Sequence, residues 1–140
     1  MKRFVLALVL AGTPVLAQET ASPPEAGAEV GIDGVIGAQL EAFRGRDVEE
    51  AWQFASPMIQ GLFGAPDTFG RMVAEGYPMV WDNSSVRYLA SRRDGPTTYQ
   101  RVLIEDATGT LHMLEYAMIR TEDGWRINGV SILPAPDVGA

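Results

Sequence analysis

Residues 97–120, TTYQRVLIEDATGTLHMLEYAMIR, decide the fold. Thr97 to Glu105 is rich in β-branched and aromatic residues and reads as a strand. Asp106-Ala-Thr-Gly109 is a turn, and Thr110 to Arg120 reads as the antiparallel partner. Placing Asp106 opposite Thr110 sets Leu103 against Met113, Arg101 against Glu115, and Tyr99 against Ala117. Side chains alternate along a strand, so Gln100, Val102, Ile104, Leu114, Tyr116 and Met118 share one face. Tyr99, Arg101, Leu103, Met113 and Glu115 share the other. A slip of one residue would exchange parts of these faces.

Downstream, Glu122-Asp-Gly124 is the next turn and Trp125 to Leu133 the last long strand, ended by Pro134 and Pro136. The register sets Arg120 against Trp125, Ile119 against Arg126, Met118 against Ile127, and Ala117 against Asn128. None of the three strands contains a proline, so none loses a ladder donor. Upstream, Asp94-Gly95-Pro96 is a turn. Tyr77 to Leu89 holds shorter aromatic and β-branched pieces around Asp82-Asn83.

Before residue 77 the period changes from two to about 3.6. Val35, Ile36, Leu40 and Phe43 lie at helical spacing, with Asp33 able to cap the start and Gly45 to stop it. Asp47 and Glu50 form a capping-box pattern ahead of Ala51, Phe54, Ala55, Met58, Ile59 and Leu62. Pro57 should bend or end that helix near Ser56, leaving a second short turn to Phe63. Thr68 to Glu75 reads as a further helix, capped by Asp67 and closed by a left-handed Gly76. Pro78 holds Tyr77 extended. Helices followed by a mostly antiparallel sheet make an α+β domain, with one sheet face receiving the helices.

The first seventeen residues have the order of a secretory signal. Met1-Lys-Arg3 is positive, Phe4 to Gly12 is apolar, and Val15-Leu16-Ala17 offers a cleavage site. The apolar run is too short for a membrane span. The expected organisation is a signal peptide at 1–17, a flexible leader at 18–32, one domain at 33–134 and a tail at 135–140. The periplasm is the expected compartment, with no membrane insertion after cleavage. Cleavage removes Lys2, Arg3 and no acid, so the formal charge moves from −7 to −9. That balance opposes nucleic-acid binding. With no cysteine there is neither a disulfide nor a thiolate metal site.

Four segments carry a resemblance: QLEAFRGRD (39–47), AWQFASP (51–57), FGRMVAEGYP (69–78) and GWRINGV (124–130). Together they resemble the DUF4864 family of exported bacterial proteins, over roughly residues 33–133. The resemblance brings no assigned activity and no catalytic residues. More distantly, the order of elements is similar to the cystatin-like fold of nuclear transport factor 2 (NTF2) and its relatives. That likeness implies helices on a curved sheet that forms a conical pocket. The group spans isomerases, cyclases, dehydratases and noncatalytic binding or assembly domains, so the fold does not select an activity.

Several residues are candidates for chemistry. Arg101, Glu115, Arg126 and Asn128 could form a polar patch over three strands that holds an anion. On a solvent face the same residues would be ordinary cross-strand pairs. His112 is the only histidine, which makes a histidine-based metal site a poor reading, but it could serve as a general base. Its bland reading is an exposed side chain near a turn. Asp82 with Tyr77, Tyr88 or Tyr116 could supply proton transfer and oxyanion stabilisation, whereas Asp82-Asn83 also reads as a plain turn. Trp52, Phe54, Phe69, Tyr77, Trp81 and Trp125 either build the core or line a cavity. There is no phosphate loop, no basic aromatic stripe, and no cofactor or metal motif.

The leading reading is a noncatalytic domain that binds a small hydrophobic or anionic ligand, or serves assembly. The alternatives are a cofactor-independent acid–base enzyme of isomerase or cyclase type acting on a small hydrophobic substrate, and a structural homodimer joined through the sheet's open face.

Overall fold

The computed structural model describes residues 30–134. The signal segment, the leader through residue 29 and the tail from residue 135 lie outside the described residues. Helix α1 (Ile32–Arg44) buries Val35, Ile36, Gln39, Leu40 and Phe43 along one stripe. It begins one residue before Asp33, with Gly31 at the N-cap and no side-chain cap. Asp33 therefore lies in the first turn, where its charge meets the positive end of the helix dipole.

Asp47 caps α2 (Val48–Trp52) as expected, accepting from the Glu50 N–H at 3.1 Å. The reciprocal half of the capping box is pre-empted, because the Asp47 N–H donates to the Ala42 carbonyl at 2.8 Å. The helix stops at Trp52, earlier than the expected Ser56. The following backbone is drawn to the sheet instead. The Ile127 N–H donates to the Phe54 carbonyl and the Ser56 N–H to the Ile127 carbonyl, each at 2.8 Å, making a parallel bridge at Ala55.

Ser56 then caps α3 (Pro57–Phe63), so Pro57 starts a helix rather than bending one. Gly64 closes α3 with φ +82°. The fourth helix, α4 (Pro66–Gly76), begins with Pro66, which leaves Asp67 inside the first turn and not at the cap. Gly76 stays helical rather than left-handed. Tyr77, with φ −134° and ψ 61°, leaves the helical region as a residue before proline must but stops short of the extended geometry expected of it. Pro78 opens α5 (Pro78–Trp81), a turn of helix where the sequence suggested extended pieces.

The strands β1 (Asn83–Asp94), β2 (Thr97–Asp106), β3 (Leu111–Thr121) and β4 (Gly124–Ile132) form an open antiparallel sheet in the order β1-β2-β3-β4. The β2–β3 register places Arg101 against Glu115 and Leu103 against Met113, as the turn implied. The β3–β4 register agrees at Arg120/Trp125, Ile119/Arg126 and Met118/Ile127. It then shifts, so that Ala117 faces Gly129 and not Asn128. This bulge adds one residue to β4 where residues 54–56 bind its other edge.

The helices cover one sheet face. Val102, Ile104, Leu114, Tyr116 and Met118 are fully buried there against Ile36, Leu40 and Phe43. Asn83 ties three elements together. Its Nδ2 donates to the carbonyls of Leu40 at 3.0 Å and Val80 at 2.8 Å, and its Oδ1 accepts from Arg44 at 2.6 Å. Arg46, which has φ +58°, reaches the Trp81 carbonyl at 2.7 Å and Asp82 at 2.5 Å. No helix among the described residues is long and apolar enough to cross a membrane.

Candidate functional site

The packing of α1, α3 and α4 on β3 and β4 is incomplete. A cavity of about 270 Å³ remains between them. Phe43, Phe69 and Val73 wall it from the helices, with Ile127 and Val130 from β4 and Tyr116 from β3. Glycine at position 129 also lines it, so the bulged strand presents backbone there without a side chain. Helix α3 contributes Ile59, Leu62 and Phe63, yet none of its residues is buried; Leu62 is 70% exposed.

The wall contains no Asp, Glu, Lys, Arg or His. Its polar side chains are Gln39, Tyr77 and Tyr116. Gln39 is buried and donates to the Ala51 carbonyl at 3.1 Å. The Tyr77 hydroxyl donates to the Val130 carbonyl at 2.9 Å. The Tyr116 hydroxyl is fully buried and has no hydrogen-bond partner among the described residues. Burial first, then the neighbouring Tyr88 and Tyr77, push its pKa above the ordinary tyrosine value. It remains a neutral O–H at physiological pH.

The candidates proposed from sequence do not form one constellation. Tyr77 and Tyr116 both line the cavity. Trp52 is outside its lining and packs edge-on against Phe69, with ring centroids 5.5 Å apart. Asp82 is also outside the lining. It is half exposed and paired with Arg46, so no carboxylate joins the tyrosines there.

Arg101 and Glu115 do meet, at 3.5 Å, on the sheet face away from the helices. Arg92 of β1 approaches Glu115 at the same distance and lies over the Tyr99 ring. Arg126 donates to its neighbour's carbonyl, that of Trp125, at 2.7 Å. The bulge takes Asn128 out of this set, and its Oδ1 accepts from the Ser56 hydroxyl at 2.7 Å. The four-residue patch is thereby split, which an unbroken register could not reveal.

His112 has a carboxylate partner six residues away. Its Nε2 lies 2.8 Å from Asp106 Oδ2 at the end of the β2–β3 hairpin. The other Asp106 oxygen accepts from the Thr108 N–H, the Thr108 hydroxyl and the Thr110 N–H. The Thr108 hydroxyl first, then His112, hold the Asp106 carboxyl well below its ordinary value. This is a turn-closing arrangement, away from the cavity. Among the described residues no group of three or more His, Cys, Asp or Glu side chains could hold a metal.

The family model described as a domain of unknown function, DUF4864, matches residues 25–140. The chain belongs to the DUF4864 family. No curated protein matches it. Among solved structures, this DUF4864 chain is similar to RPA3114, a SEC-C motif containing protein from Rhodopseudomonas palustris. The TM-score is 0.55 at 14% identity, over 74% of this chain and 79% of that one. A protein from Kribbella flavida matches with a TM-score of 0.44 at 16% identity, over 74% of this chain and 85% of that one. The first likeness supports the fold of the DUF4864 domain and carries no function.

Of the residues around the cavity, sequence reasoning marked Tyr77, Tyr116 and Phe69. It read Ile59 and Leu62 only as an apolar stripe, had no signal for Gln39, and left unused the one for Gly129, a lone glycine inside a strand pattern. Position 129 becomes part of the wall through the bulge, where a glycine inside the strand is the local mark of the irregularity.

Proposed function

We propose that this DUF4864 domain is a noncatalytic binding module for a small apolar molecule. The observation that carries the reading is the 270 Å³ cavity, walled almost entirely by apolar side chains and free of acids, bases and cations. An acid–base enzyme needs a titratable pair at the reacting centre, and Asp82 and His112 both have partners elsewhere. We further read the domain as NTF2-like from the sequence of its elements, helices followed by an antiparallel sheet that receives them on one face. We place it in the periplasm, delivered by the segment 1–17. Lysine-free acidity then serves solubility after export.

The test uses mature protein purified without refolding. Organic extraction and mass spectrometry should find a retained apolar compound. Titration with the hydrocarbon tetralin should shift amide resonances of Phe69, Val73 and Val130. Ile59→Trp, which fills the cavity from α3, should abolish those shifts with the rest of the spectrum preserved. Tetralin shifts confined to the outer sheet face, or none at all at millimolar concentration, would refute the reading.

A further inference from the structure

Given the binding reading above, we infer that the preferred ligand is an uncharged apolar molecule with one hydrogen-bond-accepting oxygen, and that Tyr116 donates to that oxygen. Three observations converge. Of the polar side chains in the wall, the Gln39 amide N–H and the Tyr77 hydroxyl already donate to backbone carbonyls, and only the Tyr116 hydroxyl is unpaired. An unmet hydroxyl in an apolar interior costs more than a satisfied one, so an incoming acceptor recovers what the fold leaves unmade. The wall offers no counter-charge, so desolvation opposes a carboxylate or ammonium group inside it. The volume sets the size: a cavity of roughly 150 Å³ accommodates benzene, so this one suits a compact bicyclic skeleton.

The Tyr116 hydroxyl lies wholly enclosed, so the ligand's oxygen reaches it only as part of the wall gives way. Helix α3 is the wall element with the least buried surface to give up: none of its residues is buried and Leu62 stands mostly in solvent. Ser56, buried and bonded to Ile127 and Asn128, holds its N-terminal end, so it yields from the Gly64 end. Burial also keeps the Tyr116 proton in place, so the group acts as a donor over the physiological range.

Three bicyclic probes of matched shape test this: tetralin, the ketone tetralone and tetralin carboxylate. Their binding is measured by titration calorimetry on the mature chain. Tetralone should bind wild type about tenfold more tightly than tetralin, equivalent to about 1.4 kcal/mol. Tetralin carboxylate should bind more weakly than either. In Tyr116→Phe the ratio of tetralone to tetralin affinity should fall to about one, while tetralin affinity persists. The carbonyl stretch of tetralone bound to wild type should move to lower frequency than in cyclohexane, which reports the hydrogen bond without any variant.

Equal wild-type affinity for tetralin and tetralone overturns the inference and leaves the cavity reading standing. So does an unshifted carbonyl stretch, a ratio unchanged in Tyr116→Phe, or tightest binding of the carboxylate. Failure of all three probes to bind overturns both.

Discussion

Replacing Asn83 by Ala should be among the most damaging single truncations in this domain. The side chain is only 4% exposed and makes three hydrogen bonds, to the Leu40 carbonyl, the Val80 carbonyl and the Arg44 guanidinium. Each neutral bond contributes about 0.5–1.5 kcal/mol net. The Arg44 bond adds a similar amount, because Arg44 is exposed enough for water to replace its partner. Alanine also leaves the buried carbonyl of Val80, at the end of α5, without this donor. The summed loss is about 3 kcal/mol, a large share of the 5–15 kcal/mol typical of a domain. At roughly 4–8 °C per kcal/mol, the melting temperature should fall by about 12–24 °C. Urea unfolding followed by circular dichroism measures it, with the midpoint lowered and the slope unchanged. Arg71→Ala, on the exposed side of α4, is the control and should change stability by less than about 0.5 kcal/mol. A loss below about 1 kcal/mol in Asn83→Ala would show that the three bonds do not tie α1 and α5 to β1.

Other substitutions probe separate parts of the structure. Gly70 packs so closely on α2 that an added Cβ would lie 2.6 Å from the Val48 Cγ1 atom; Gly70→Ala should destabilise by about 1–3 kcal/mol in the same urea assay. The depressed pKa of Asp106 makes its contribution complete above the unfolded value of 3.8 and progressively lost as pH falls from there through the folded value. Asp106→Asn should therefore lower stability at neutral pH and flatten the acid limb of the stability–pH curve. Tyr116 has the opposite dependence. Its raised pKa preserves stability below the unfolded value of 10.0, and stability falls as pH rises beyond it. Tyr116→Phe should move the onset of alkaline unfolding upward, as followed by circular dichroism against pH.

The sheet was legible where alternation was strong. Residues 97–120 contain β-branched and aromatic side chains on both strands and a turn of fixed length, so Arg101 and Glu115 could be paired in advance. Strand β1 was not, because Ser84, Ser85, Arg87, Arg92 and Arg93 occupy exposed positions and give no hydrophobic period. The break after Ser56 was expected but its short turn was not recognised as a capped helix, and the start at Ala65 was missed, because a proline follows each and local reading treats proline as a breaker. In both places it occupies the first turn, where its missing N–H has no bond to lose. The site was less legible than the fold. Tyr77 and Tyr116 were named, but the void beside them depends on how α3 settles over the bulge of β4. That is a tertiary outcome of Phe54 and Ser56 hydrogen-bonding to Ile127.

The same attachment gives the sheet two unequal margins. Residues 54–56 occupy part of the outer edge of β4, so lateral growth by a further strand is obstructed there. Among the described residues the free margin is β1, and it is guarded differently. Its ladder is interrupted between Tyr88 and Ser91, where Gln100 spends its amide on the Leu89 carbonyl, and Arg87, Arg92 and Arg93 stand exposed along it. A second copy aligning on this margin would meet a kinked backbone and bring like charges together. At high local concentration the chain is thus shielded against edge-to-edge polymerisation from both sides, by a covering segment on one and by irregularity and arginine repulsion on the other.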